Sequence, residues 1–207
     1  MATKAWDARL AHALVRPLAG TRVTPNHVTT LGLLVGLTAA ALYAHAGAAG
    51  SVGGALYCLF ALIDHADGEL ARMTNRCSAR GQLYDRTVDL IVKIAVFSGM
   101  GASLRHGPLG GWGPALGLVA GVAFVSIFML RNATVRRIGP AGLEQLTAGP
   151  FEIEDILYVI APVTWLGWLQ PFLLATAVGA SLFACYCAAR LARVAGLLPR
   201  YASSRPR

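Results

Sequence analysis

Five of the chain's ten acidic residues fall between positions 64 and 89: Asp64, Asp67, Glu69, Asp85 and Asp89. The stretch reads Asp64-His65-Ala66-Asp67-Gly68-Glu69-Leu70-Ala71-Arg72, then eight residues, then Gly81-Gln82-Leu83-Tyr84-Asp85-Arg86-Thr87-Val88-Asp89. On a helix Asp64 and Asp67, three apart, share a face, and Gly81, Asp85 and Asp89 step by four along one stripe of a second helix. Four aspartates on two antiparallel helices then converge. Bare, they repel one another and force protonation; a divalent cation with a preference for hard oxygen lets all four stay ionised. Magnesium or manganese suits such a donor set. Gly68 and Gly81 open the backbone to a phosphate or a flat base. Arg72, one turn past Gly68, is suited to hold a phosphate or stack on a base. Taken one residue at a time, these carboxylates also fit a solvated network with Arg72, Arg76, Arg80 and Arg86; taken together, the spacing favours a site.

The elements that position this stretch are apolar. Of 207 residues, 56% are hydrophobic and only 14% charged, and the mean hydropathy is +0.56. Soluble domains carry roughly 25% charged residues, so the chain reads as an all-α integral membrane protein. A pI near 9.9 would otherwise suggest nucleic acid, but a basic groove needs a soluble surface, and no nucleic-acid partner is expected. At roughly 20 residues per span the length accommodates six transmembrane helices. The apolar runs cover 28–49, 52–63, 90–104, 112–130, 156–169 and 171–189. Ahead of them Lys4, Asp7, Arg9, His12 and Arg16 interleave with Trp6, Leu10, Leu14 and Val15, the pattern of an amphipathic helix lying in the interface; no cleavable leader is expected. The expected organisation is a juxtamembrane segment at 1–25, a six-helix membrane domain at 26–196 and a basic tail at 197–207.

The cations set orientation. Lys4, Arg9, Arg16 and Arg22 precede the first span; Arg72, Arg76, Arg80 and Arg86 surround the turn between the second and third. Arg131, Arg136 and Arg137 follow the fourth span, and Arg190, Arg193, Arg200, Arg205 and Arg207 close the chain. Cations gather on the cytoplasmic side, which puts both termini and the aspartate site there, with anionic membrane lipids as partners. The expected location is a bacterial inner (plasma) membrane. Cys58, Cys77, Cys185 and Cys187 show neither zinc spacing nor a secreted framework and read as reduced packing residues. Trp112, Trp165 and Trp168 suit an outer aromatic belt.

The pattern Asp64-x2-Asp67-Gly68-x2-Ala71-Arg72-x8-Gly81-x3-Asp85-x3-Asp89 resembles the signature of the CDP-alcohol phosphatidyltransferase family, class I, with every position filled and no spacing altered. The Thr24-Pro25-Asn26 lead and the six spans are also similar to that family. The resemblance implies transfer of a phosphatidyl or related phospho-alcohol group from a CDP-linked donor, CDP-diacylglycerol first among them, to a small alcohol or lipid alcohol, with release of CMP. It implies divalent metal, Mg2+ or Mn2+ in a two-metal site, at Asp64, Asp67 and Asp85, with Asp89 joining the metal site or acting as general base. It implies a CDP site lined by Asp67, Gly68, Ala71, Arg72, Gly81 and Asp85, and a homodimer. A CDP head group belongs in water while its lipid tail stays in the bilayer, consistent with a site at the cytoplasmic end.

The acceptor is less legible. Family members that take phosphorylated acceptors are similar in supplying later cations, a part open here to Lys93, Arg131 and Arg190, with Arg136, Arg137 and Arg193 behind them. Lys93, one turn past Asp89, serves equally as a neutralising partner of Asp89. Glu152, Glu154 and Asp155 either cap the amino end of the fifth span or favour an amino-alcohol. His65 points away from the Asp64–Gly68 face and is not expected to ligate metal. Two other classes fit the acids less well: an aspartate-rich prenyltransferase, which does not require the interleaved Gly, Ala and Arg, and a small cation or proton transporter, which would carry acids near the midplane of several spans.

Overall fold

The computed structural model describes residues 6–45, 47–139 and 158–202, with side chains from 10 to 196 within those ranges. The acidic run Glu152, Glu154 and Asp155 and the terminal Lys4, Arg205 and Arg207 lie outside the described residues. Among the described residues the structure is all-helical: α1 (Trp6–Val15), α2 (Pro25–His45), α3 (Gly47–Met73), α4 (Ala79–Ser103), α5 (Trp112–Ile138), α6 (Ile160–Trp165) and α7 (Leu169–Ala202), with a 3-10 turn at Arg16–Leu18.

Four helices are long and apolar enough to cross a membrane: Pro25–His45, Gly47–Met73, Trp112–Ile138 and Leu169–Gly196. Large apolar side chains such as Leu34, Leu83, Val178 and Leu182 are exposed on them and on α4, at 60%, 66%, 59% and 68%. Water penalises such a surface and lipid does not, so the chain is a membrane protein. The expected third and fifth spans differ from the structure. The third is a 25-residue helix that starts at Ala79 and carries Arg80, Asp85, Arg86, Asp89 and Lys93, too many charges for an apolar span. It packs between α2 and α5, where Asp89 and Lys93 are buried while Arg80 and Arg86 stay exposed. The fifth retains only the six residues of α6 among the described residues. The second and sixth expected spans are also longer than their apolar runs, the helices reaching Met73 and Ala202.

Local chemistry sets the helix ends near the acids. Pro25 opens α2, and Thr24 Oγ1 accepts from His27 N–H at 3.4 Å, a cap with proline at the first turn. Helix α3 stops where Asn75 turns left-handed (φ 52°) and Arg76 N–H donates to Ala71 O at 3.0 Å, the six-to-one closure that an αL residue permits. Ser78, extended at φ −135° and ψ 150°, then caps α4 by accepting from Gly81 N–H at 3.0 Å. The turn joining the two halves of the acidic stretch is therefore closed at both ends.

Helix α2 packs along both α3 and α4. Close approach depends on small residues: a Cβ on Gly53 would stand 2.9 Å from Ala39 O, and one on Gly101 or Gly113 would enter the other residue's backbone, the small-residue contact that membrane helices use. The main core gathers Tyr43, Tyr57, Phe60, Val92, Val96, Phe97, Met100 and Phe124. A second cluster, Ala11, Val15, Val28, Ala66 and Leu70, seats α1 on α3.

Candidate active site

The acids meet where the amino ends of α2 and α4 stand beside the carboxyl end of α3. Asp67 and Asp89 are buried, and Asp64 and Asp85 are half-buried. The carboxyls of Asp64 and Asp85 lie within hydrogen-bonding reach of each other, and Asp67 and Asp89 are close enough to add their charges. Two carboxyl groups so placed repel unless a proton or a cation lies between them. Asp67 Oδ2 accepts from the Thr29 hydroxyl of α2. Asp89 Oδ2 accepts from Lys93 Nζ at 2.8 Å, a pair buried on both sides.

Among the described residues no three His, Cys, Asp or Glu side chains are drawn together tightly enough to hold a metal ion as they stand; Asp67 engages Thr29 and Asp89 engages Lys93. The donor set still fits a divalent cation. All four are hard carboxylates, and the Asp64–Asp85 contact is one that a cation relieves.

A cavity of about 170 Å3 opens beside the acids, lined on its α3 and α4 walls by Asp67, Gly68, Ala71, Arg72, Gly81 and Asp85. The Arg72 guanidinium lies over Gly68, with nitrogens 3.5 and 3.6 Å from where a Cβ there would be. A Cβ on Gly81 would sit 3.0 Å from Ser78 Oγ and 3.3 Å from Asn26 Oδ1, so each glycine makes room for neighbouring side chains on the wall, the Arg72 fork at Gly68 and the Ser78 and Asn26 oxygens at Gly81.

The remaining wall was not legible as site. Pro25, Asn26 and Thr29 come from α2, and Arg76, Cys77, Ser78 and Gln82 from the α3–α4 turn and the start of α4. The available signal was the polar group Asn26, His27, Thr29 and Thr30 at the head of a mostly apolar helix. Cys77 is exposed on this wall and is not a packing residue, whereas Cys187 is buried; all four cysteines are free. Tyr57 OH is buried with no hydrogen-bond partner among the described residues. His65 Nδ1 is 2.8 Å from Ala61 O, on its own helix.

The later cations separate into two groups. Lys93 is buried against Asp89, its Nζ 5.3 Å from the centre of the Phe128 ring. Arg131 of α5 and Arg190 of α7 both reach the neighbourhood of the Cys187 thiol, and Arg131 Nε is buried with no hydrogen-bond partner among the described residues. Arg136, Arg137 and Arg193 are exposed. Trp112, Trp165 and Trp168 are exposed too, with Trp165 Nε1 donating to Ser51 O at 3.1 Å.

Comparison with known proteins agrees with this geometry. A bifunctional IPC transferase and DIPP synthase of Rubrobacter xylanophilus is 37% identical over 113 residues, which cover 53% of this chain and 24% of that protein. The chain thus spans about a quarter of that relative's length. The crystal structure of phosphatidylinositol phosphate synthase (PgsA1) of Mycobacterium tuberculosis with CDP-DAG bound has a similar fold, with a TM-score of 0.58, 21% identity and 92% of each chain covered. The family profile of CDP-alcohol phosphatidyltransferases matches residues 22–183, a range that holds the whole aspartate stretch and most of the helices, and the chain belongs to the CDP-alcohol phosphatidyltransferase family.

Proposed function

We propose that the protein transfers a phosphatidyl or related phospho-alcohol group from a CDP-linked donor, CDP-diacylglycerol in the first instance, to the hydroxyl of an alcohol, releasing CMP. The observation that carries this reading is the cavity wall: Asp67, Gly68, Ala71, Arg72, Gly81 and Asp85 all face one space at the helix ends. The CDP-DAG bound to the structurally similar PgsA1 supports the choice of donor.

In this reading the nucleotide enters the cavity that Gly68 and Gly81 line, and Arg72, over Gly68, meets the diphosphate with a planar set of donors. A divalent cation, held by Asp64, Asp67 and Asp85, would supply positive charge to the diphosphate and to the leaving CMP. The acceptor oxygen forms a bond to the phosphorus that bears the lipid, and the bond from that phosphorus to CMP breaks. The acceptor's proton goes to Asp89; Lys93 engages its Oδ2, so the proton is taken at Oδ1. Arg131 and Arg190 favour an acceptor that carries an anionic group such as a phosphate, because Arg131 Nε is buried with no hydrogen-bond partner among the described residues and a buried guanidinium donor without an acceptor is costly.

The same reading places residues 26–196 as one membrane domain of six spans, counting α4 and a fifth span that includes α6. Helix α1 lies in the interface, and the aspartates and both termini face the cytoplasm, in a bacterial inner membrane with a second copy alongside. The test is CMP release by the purified full chain in lipid vesicles with magnesium, CDP-diacylglycerol and a panel of alcohols, phosphorylated and plain. CMP should appear with at least one acceptor and disappear in Asp89→Asn. Release with none of them would overturn the reading, as would an Asp89→Asn protein as active as the wild type.

A further inference from the structure

Glu69 occupies one of the positions that the signature leaves open, between Gly68 and Ala71, yet it is only 3% exposed. A buried carboxylate persists when cations hold it. Arg72 donates from a terminal guanidinium nitrogen to Glu69 Oε1 at 3.0 Å, and His12 Nδ1 of α1 stands 3.4 Å from Oε2. The Arg72 side chain is itself 63% exposed, and an exposed arginine ordinarily samples many rotamers. Here one end of its fork is bonded to a carboxylate that is enclosed where α1 packs on α3. The fixed guanidinium lies over Gly68 on the cavity wall, and its other N–H groups remain to bind a ligand.

We propose that Glu69 is a positioning residue for Arg72: it holds the guanidinium over Gly68 in the orientation that receives the diphosphate of a cytidine nucleotide. The inference rests on the reading of Arg72 as a diphosphate ligand. Preorganisation of this kind lowers the cost of ordering a flexible side chain at the moment of binding. The alternative is a purely structural pair, in which Arg72 does no more than neutralise Glu69.

The two are separated by calorimetric binding of CDP, with magnesium, to the full chain and to Glu69→Gln, Glu69→Asp, Arg72→Ala and the Glu69→Gln/Arg72→Ala double variant, each verified as monodisperse in detergent. Glu69→Gln should weaken CDP about fivefold, Arg72→Ala should weaken it further, and the double variant should bind no more weakly than Arg72→Ala alone, the coupling expected of one residue acting through another. Glu69→Asp should recover part of the loss. Wild-type affinity in Glu69→Gln overturns the inference, and so does a Glu69→Gln loss of equal size with and without Arg72. If Arg72→Ala binds CDP as the wild type does, or the wild type binds none, the reading of the nucleotide site falls first and the inference with it.

Discussion

Lys93 and Asp89 form a buried ion pair across one turn of α4, with Nζ 2.8 Å from Oδ2 and side chains only 7% and 11% exposed. The pair lets a helix with many charges run through the middle of the bundle, because each ion has its counter-charge one turn away. Removing one partner strands the other. Lys93→Met should therefore destabilise the protein by about 3 kcal/mol, and the Lys93→Met/Asp89→Asn double variant should recover most of that loss. Thermal unfolding midpoints of the three proteins in one detergent check the order; a double variant less stable than Lys93→Met would contradict it.

The contact between the Asp64 and Asp85 carboxyls makes both sensitive to the loss of a cation. Chelation of divalent metal should stop CMP release, and magnesium or manganese should restore it. Asp64→Asn and Asp85→Asn should each lower the rate at saturating magnesium by at least about 100-fold, the scale on which electrostatic stabilisation of a transition state acts. Initial-rate assays across a magnesium series provide the comparison.

Thr29 is the hydroxyl donor to Asp67 and belongs to a different helix. Thr29→Val keeps the shape and removes the donor. The magnesium concentration for half-maximal rate should rise about tenfold, as it does when the partner of a metal-binding side chain is lost, while the rate at saturation changes much less. An unchanged magnesium dependence would separate Thr29 from the site.

Gly81 faces Ser78 and Asn26 at distances that leave little room for a methyl group. Gly81→Ala should weaken CDP binding about tenfold with less than about 1 kcal/mol of lost stability, since the Ser78 hydroxyl gives way by a small rotation. Gly20→Ala, where a Cβ would have nothing within 4 Å, should leave CDP binding as it is. Calorimetric titration of both variants tests the contrast.

Between α4 and α5 the cost is larger. A side chain on Gly101 would enter the backbone of Gly113 and Gly117, and backbone cannot rotate out of the way. Gly101→Val should force the helices apart and lose about 3 kcal/mol, seen as a lowered unfolding midpoint and a loss of monodisperse protein on size exclusion.

Much of this protein is legible in one dimension. Low charge with high hydropathy determines a membrane-embedded helical chain, because lipid offers backbone groups no other partner. The spacing of Asp64, Asp67, Gly68, Ala71, Arg72, Gly81, Asp85 and Asp89 determines which residues share a helix face, since that follows from 3.6 residues per turn alone. The resemblance to the family follows from the same string, as does the six-residue group on the cavity wall. Tertiary structure decided what lies across from each face. It brought Asn26 and Thr29 of α2 to the acids, buried Glu69 beneath α1, and, of the two parts open to Lys93, paired it with Asp89. It also brought Arg131 of α5 close enough to α7 to act, with Arg190, on the Cys187 thiol. Helical periodicity relates residues within one element, whereas packing between elements depends on where small residues such as Gly53, Gly101 and Gly113 let backbones approach. The same packing decided the setting of α4, which buries Asp89 and Lys93 on the side where α2 and α5 pack while Leu83 and Ile91 stay exposed.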